Sequence, residues 1–379
     1  MKNYTLIGNT PMINITYRYQ GKEKHIYVKL EMFMKKHTII GNTPMINITY
    51  RYKGKENNIY AKLEMFNVTG SIKDRVAYYI INNAKEKGIL KENMPIIEAT
   101  SGNTGISLSA LGAYYKHPVY IFMPDWASKE RIELMKLYGA NITLISKEEG
   151  GFIKCVEEAK KLAKELNGFL ANQFENEDNI LAHYETTGKE ILEQLKEKKI
   201  GGFVSGVGTG GTLMGIGKRL KETDNQIKIY ALEPEKMPIL SKGKILGQHK
   251  IEGIGDDFVP DIFKRNTEII EKDILLINDD DAMNMARKLA KQLGLGVGIS
   301  SGANFIGAVL AQEKLEENVE GKVEVNEENV LEENNKESIV TVFADDNKKY
   351  LSTDLVNNMK NNKYFMSNNV ELLNYEEII

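Results

Sequence analysis

The chain has 379 residues, 42% of them hydrophobic and 27% charged, with a formal net charge of −3 and a single cysteine, Cys155. That length accommodates two domains sharing a cleft, and the slightly acidic balance gives no reason to expect nucleic acid as a partner. One cysteine excludes an intramolecular disulfide, no apolar run reaches membrane-spanning length, and Met1-Lys2-Asn3 is not followed by the apolar core of a signal peptide. A cytoplasmic protein with no membrane association is the expectation.

The chain opens on a tandem repeat. Residues 1–33 recur nearly unchanged as residues 34–66. Two copies are too few for a solenoid. Only the second runs on into the rest of the fold, so residues 1–33 read as a duplicated N-terminal arm. Both copies could compete for one docking place, leaving the other disordered or swapped onto a neighbouring subunit.

After the repeat, strand and helix patterns alternate. A strand-like run, Ile59 to Phe66, leads through Thr69-Gly70-Ser71-Ile72-Lys73-Asp74 to a helix-like run, Arg75 to Lys87. Lys73 sits at this junction, where a ligand can reach it. A confined lysine loses preference for its charged form and becomes a candidate Schiff-base former; a surface lysine in a first helical turn is the plainer alternative. Strands follow at Met94–Ile97, Val119–Met123 and Ile142–Ile145, with helices at Ile106–Tyr115, Ser128–Tyr138 and Phe152–Leu166. A helix from about Ile180 to Lys196 precedes a second round. Its strands are Gly202–Ser205, Lys228–Leu232, Asp273–Ile277 and Ile339–Phe343; its helices include Leu213–Lys221 and Asp279–Leu293, and Gly298–Asn304 opens another. Met237 to Pro260 reads as loop. This alternation predicts an α/β fold with mostly parallel sheets flanked by helices. Residues 315–337 are acidic and poor in aromatics, which predicts a disordered insertion, and residues 361–379 show no period.

Two loops between strand and helix carry chemistry. Gly206-Val207-Gly208-Thr209-Gly210-Gly211-Thr212 aims backbone N–H groups and two hydroxyls at one point, as a phosphate cradle does. The spacing of Gly206, Gly208 and Gly211, with Glu233 at the end of the next strand, also fits a dinucleotide site, so a nicotinamide oxidoreductase is a rival reading. Thr100-Ser101-Gly102-Asn103-Thr104-Gly105 would suit a carboxylate, or would simply cap its helix. A lysine, a phosphate cradle and a carboxylate cradle together describe pyridoxal phosphate and an amino acid.

The chain from Thr38 to about Leu355 resembles the cysteine synthase family (O-acetylserine sulfhydrylases, close to the cystathionine β-synthases). The motifs are IGNTP (40–44), TGSIKDR (69–75), TSGNTG (100–105), QFEN (173–176), GVGTGGT (206–212), EGIG (252–255), GISSGAN (298–304) and YLST (350–353). The resemblance implies the two-domain fold of the tryptophan synthase β-subunit group, with pyridoxal phosphate in the cleft, and a homodimer. The N-terminal domain would be residues 67–178, and the C-terminal domain 34–66 with 179–314 and 338–360. It also implies roles: Lys73 as Schiff-base lysine, Asn103 on the ring hydroxyl, Gly208, Thr209, Gly210, Gly211 and Thr212 on the phosphate, Ser301 on the pyridine nitrogen, and Thr100, Ser101, Thr104, Gln173 and Gly255 around the amino-acid substrate. The implied reaction is β-elimination or β-replacement through an aminoacrylate.

The sequence departs from the family at Asp256-Asp257, where small residues are usual beside the substrate's side chain. The pair either points to solvent or sets a carboxylate over Cβ, with Asp256 the nearer because it follows Gly255 directly. A carboxylate there would repel hydrosulfide and could take a proton from water. The expectation is release of hydrogen sulfide from L-cysteine, with L-serine or another β-substituted alanine as product. Synthesis of cysteine from O-acetylserine and sulfide is the alternative within the family; an oxidoreductase or a non-catalytic binding partner are alternatives outside it.

Overall fold

A computed structural model describes residues 12–19, 21–29, 39–320, 337–357 and 362–378. Strands β1 (Met12–Tyr19) and β2 (Lys22–Lys29) form a hairpin of their own. Strands β3 (Met45–Tyr52) and β4 (Lys55–Leu63), from the second copy of the repeat, pair in the same register. They belong to a seven-stranded sheet with β9 (Ile200–Gly206), β10 (Lys228–Pro234), β11 (Leu275–Ile277), β12 (Ser338–Phe343) and β13 (Val370–Ile378). Its order is β11-β10-β9-β12-β4-β3-β13; the first five strands run parallel and the last two pairings are antiparallel. A second, all-parallel sheet has the order β7-β6-β5-β8, from β5 (Ile96–Ala99), β6 (Val119–Pro124), β7 (Asn141–Ile145) and β8 (Phe169–Leu170).

The helices between these strands are α1 (Lys73–Glu86), α2 (Asn103–Tyr115), α3 (Lys129–Leu137), α4 (Gly151–Glu165), α5 (Asp178–Ala182), α6 (Gly188–Gln194) and α7 (Gly211–Thr223). Single turns α8 (Ile239–Lys242) and α9 (Asp261–Lys264) precede α10 (Asp279–Leu293) and α11 (Ile299–Glu320). Strand alternation splits the core into layers. Ile59 and Ala61 of β4 join Ile46, Ile48 and Tyr50 in the cluster under α10 and α11, while Tyr60 faces the opposite cluster with Met214 and Leu220 of α7.

Several boundaries differ from the sequence pattern. The strand expected to reach Phe66 stops at Leu63, and Glu64–Phe66 form a 3₁₀ turn because the Glu64 carboxylate turns inward to Arg75. The strand expected at 94–97 lies two residues later. Pro95 has no N–H to give, so pairing starts with Ile96, whose N–H donates to Pro118 O at 2.8 Å. The helix expected over 180–196 is α5 and α6 joined by a π-helical turn, His183–Thr187. Helix α11 runs into the acidic stretch as far as Glu320; residues 321–336 of that stretch lie outside the described residues. The C-terminal stretch that showed no period ends in β13. Its alternation is broken by a register shift between Leu372 and Asn374, and this hides the strand in the sequence.

Candidate active site

The carboxyl ends of β5, β9 and β12 converge on one cleft, the usual ligand position in open α/β sheets. With the solvent at its mouth the cleft holds ≈ 830 Å³, and Lys73, at the first turn of α1, stands in its wall. Confinement lowers the Lys73 ammonium from its ordinary value of 10.5 to about 8, although Asp256 and Asp345 pull the other way.

A buried charge cluster fixes the start of α1. Arg75 Nε donates to Glu64 at 2.7 Å and its Nη1 to Glu190 at 2.6 Å; Lys62 Nζ meets Glu190 at 2.7 Å and donates to Thr43 O at 2.5 Å. The cations hold the Glu64 and Glu190 carboxyls below their usual range despite burial. Asp74 receives the Thr69 hydroxyl and, at 2.6 Å, that of Ser107 on α2. The lysine is therefore set by rigid neighbours on both sides.

At the end of β9, Gly208, Thr209, Gly210 and Thr212 line the cleft, with Gly210 (φ 91°) as N-cap of α7. A Cβ on Gly208 would come within 2.5 Å of Gly253 O, so only glycine lets this loop lie against the segment carrying Asp256. Gly211 is buried behind the wall, against Asn179, rather than in it. The two threonine hydroxyls are aimed from behind: Asn179 Nδ2 donates to Thr209 Oγ1 at 2.9 Å, and His183, in the π turn, lies 3.2 Å from Thr212 Oγ1. Burial lowers the His183 pKa, favouring the neutral ring.

Across the cleft, Thr100, Ser101, Asn103, Thr104 and Gln173 all line the wall where α2 begins. Thr104 Oγ1 donates to Gln173 Oε1 at 2.6 Å, and Gln173 Nε2 donates to Ala99 O at 3.1 Å, so the pair is pre-oriented. Asn103 Nδ2 donates to Asp345 at 2.8 Å while its buried Oδ1 has no partner. An unpartnered buried amide oxygen, a glycine-threonine helix start and a lysine of lowered pKa suit the ring hydroxyl, phosphate and aldehyde of pyridoxal phosphate.

Of the two serines in Gly298-Ile299-Ser300-Ser301, Ser300 is in the cleft wall. Ser301 is fully buried behind it, its Oγ accepting from Ala344 N at 3.0 Å. Gly255 (φ 74°) lies in an outer cavity that adjoins the cleft, and it is held by its carbonyl, 2.7 Å from His249 Nε2. Of the aspartate pair, Asp256 lines both cavities and Asp257 only the outer one. Burial, and Asp257 beside it, raise the Asp256 carboxyl from 3.8 to about 7; Lys73 opposes the shift.

Arg131 and Asn304 also line the cleft; Asn304 closes the GISSGAN motif without a role assigned to it, and Arg131 left no signal in the sequence. Arg131 is 2% exposed; it pairs with Glu252 and its guanidinium carbon lies 4.5 Å over the Tyr350 ring. Asn304 accepts from Gly206 N at 2.8 Å and donates to Val342 O at 2.7 Å, tying the ends of β9 and β12 together. An arginine on a surface-patterned helix looks ordinary until the fold brings its partners in.

Comparison with known proteins agrees with the geometry. Residues 36–325 match the family described as pyridoxal-phosphate dependent enzyme. Cysteine synthase of Staphylococcus aureus is 39% identical over 350 residues, 92% of this chain and 95% of that protein. The structure of a hydrogen sulfide-producing enzyme from Fusobacterium nucleatum superposes with a TM-score of 0.79 at 46% identity, over 90% of this chain and 97% of that one. An aspartate-to-asparagine variant of the same enzyme, complexed with an α-aminoacrylate intermediate, has a TM-score of 0.79 at 47% identity, over 88% of this chain and 95% of that one. By the family match over most of its length and by the identity and fold it shares with these relatives, the chain belongs to the pyridoxal-phosphate-dependent cysteine synthase and cystathionine β-synthase family.

Proposed function

We propose that this enzyme releases hydrogen sulfide from L-cysteine and that water takes the place of sulfur on Cβ, giving L-serine. The observation that carries the reading is Asp256, a carboxyl raised to about 7 and standing in the wall of the same cleft as Lys73. The loop at Thr100, Ser101 and Thr104, with Gln173, receives the substrate carboxylate. Thr209 and Thr212, with the N–H groups around Gly208 and Gly210, would hold the phosphate of pyridoxal phosphate; Asn103 would hold its ring hydroxyl, and Ser300 or Ser301 its ring nitrogen. When bound, the cofactor draws electron density from Cα, so that the α-proton and the group on Cβ can leave.

Lys73 then acts as general base at Cα. An amine of pKa about 8 takes up a proton with less driving force than an ordinary lysine but is available unprotonated near neutral pH. The sulfur leaves Cβ and departs as hydrogen sulfide with the proton it gains. Asp256, ionised, takes a proton from water as the water oxygen bonds to Cβ. Lys73 returns its proton to Cα, and the hydrosulfide takes up, through solvent, the proton that Asp256 gives up, so atoms balance as cysteine plus water giving serine plus hydrogen sulfide. The same carboxylate repels hydrosulfide, which disfavours the reverse attack. The hydrogen sulfide-producing relative supports this reading, and its intermediate is captured in an aspartate-to-asparagine variant. The S. aureus cysteine synthase supports the second reading, cysteine made from O-acetylserine and sulfide.

Sulfide release from L-cysteine, with the amino-acid products identified, separates the two. The expected result is continuous release of sulfide with serine from the unmodified enzyme, and from Asp256→Ala no serine and sulfide limited to about one equivalent per active site. If cysteine is inert while O-acetylserine and sulfide give cysteine in both proteins, the aspartate has no role and the second reading stands. Lys73→Ala is expected to abolish the yellow absorbance of the covalently held cofactor, read in a spectrophotometer.

A further inference from the structure

The hairpin β1–β2 displays the side chains that β3–β4 bury. Ile15, Tyr17, Ile26 and Tyr27 are 45%, 38%, 49% and 67% exposed. Their counterparts 33 residues later, Ile48, Tyr50, Ile59 and Tyr60, are 0%, 0%, 0% and 5% exposed. The strands pair in the same register, Ile15 with Ile26 as Ile48 with Ile59. One polar cross-strand bond recurs too: Thr16 Oγ1 lies 3.0 Å from His25 Nδ1, as Thr49 Oγ1 lies 3.0 Å from Asn58 Oδ1. The first hairpin thus has both the shape and the apolar face of the one seated between β12 and β13.

We infer that residues 12–29 are an alternative occupant of the slot between β12 and β13 of their own chain, able to replace residues 45–62 there. Sequence order permits the exchange within one chain. The second copy follows the first directly, so seating the first turns residues 34–66 into an excursion whose two ends meet at Asn67. Closing a 33-residue excursion lowers the population of the exchanged state by about two orders of magnitude.

Two substitutions bias the slot the same way. Lys24 stands where the buried Asn57 stands, and Val28 where the fully buried Ala61 stands. A buried ammonium and two extra methyl groups both disfavour the first copy. The second copy therefore holds the slot in the intact protein, and the first is a reserve that takes it when the second is damaged. Exchange between chains would have to expel the partner's hairpin without the advantage of tethering.

Three variants of the full chain test this. Ile15→Asp is expected to leave folding and cofactor absorbance unchanged. Ile48→Asp is expected to stay soluble and yellow, because Ile15 replaces Ile48 in the core. The double variant is expected to be insoluble. Ile15→Cys then reports the exchange directly, since the native Cys155 is buried and its thiol is pushed up to about 12. Cysteine at position 15 should be alkylated freely in the unmodified background and at least about tenfold more slowly beside Ile48→Asp, with no dependence on protein concentration. An Ile48→Asp protein as damaged as the double variant overturns the inference. So does one in which position 15 stays reactive, or is protected only at high protein concentration.

Discussion

Lys73 and Asp256 face one cleft, and their surroundings move their pKa values together, to about 8 and about 7. Loss of solvent disfavours the charged form of each, while the attraction between them resists both shifts. An aspartate that titrates near neutrality is matched to taking a proton from water at physiological pH. Sulfide release is therefore expected to rise with pH through about 7, because the role proposed for Asp256 requires its ionised form. In Asp256→Asn the rate should fall about a hundredfold and that limb should vanish, as a pH–rate profile would record. A stability effect of opposite sign accompanies it. Between the ordinary value of 3.8 and about 7, the Asp256 carboxyl is protonated when folded and ionised when unfolded, so its ionisation destabilises the fold as pH rises through that window. Asn escapes this cost. Asp256→Asn is expected to be more stable than the unmodified protein at pH 8 by about 1–2 kcal/mol, after discounting for solvent in the cleft, and the gap should shrink towards pH 5, by thermal melting at each pH.

At the level of elements, the buried charges of Lys62, Glu64, Arg75 and Glu190 join β4, α1 and α6 at the base of the lysine-bearing turn. Arg75 and Lys62 are 1% and 0% exposed, and Glu190 is the acceptor they share. Replacing it by Gln keeps the shape but leaves two buried cations with one carboxylate. Glu190→Gln is expected to cost about 3 kcal/mol, seen as a lower urea midpoint at an unchanged slope. The π turn acts similarly on the opposite wall: its extra residue in the α5–α6 run places His183 against Thr212. In both places the side chains that line the cleft are positioned by groups behind its wall.

Across the whole molecule, the cleft is closed by bonds between its two sheets. Asn103 reaches Asp345, Ser128 Oγ donates to Lys349 O at 2.9 Å, and Arg131 pairs with Glu252, in the loop that carries Asp256. Arg131 thus ties α3 to that loop. Glu252→Ala is expected to free the loop and slow sulfide release about tenfold, while the cofactor's absorbance, which depends on Lys73 and the β9 loop, stays the same; paired activity and absorbance spectra would check this.

The sequence by itself determined the architecture and most of the wall of the cleft. Alternating apolar runs specify parallel strands and their helices. Gly208, Gly210, Thr209 and Thr212, like Thr100 to Thr104, lie in short loops whose chemistry is local, so their spacing could be read along the chain. It did not determine which of Asp256 and Asp257 enters the cleft, nor which of Ser300 and Ser301 does. Neighbours of one type differ only in direction, and direction is set by Gly255 at positive φ and by where α11 packs. Nor could it reveal Arg131 or His183, or the role of Asn304 within its motif, because their partners lie 121, 29 and 98 residues away. It could not place β13 either, which exists because β3 leaves an edge to be paired. Backbone chemistry acts between near neighbours and is written in the sequence; burial, pKa and ion pairing depend on distant groups, and only the tertiary structure brings those into contact.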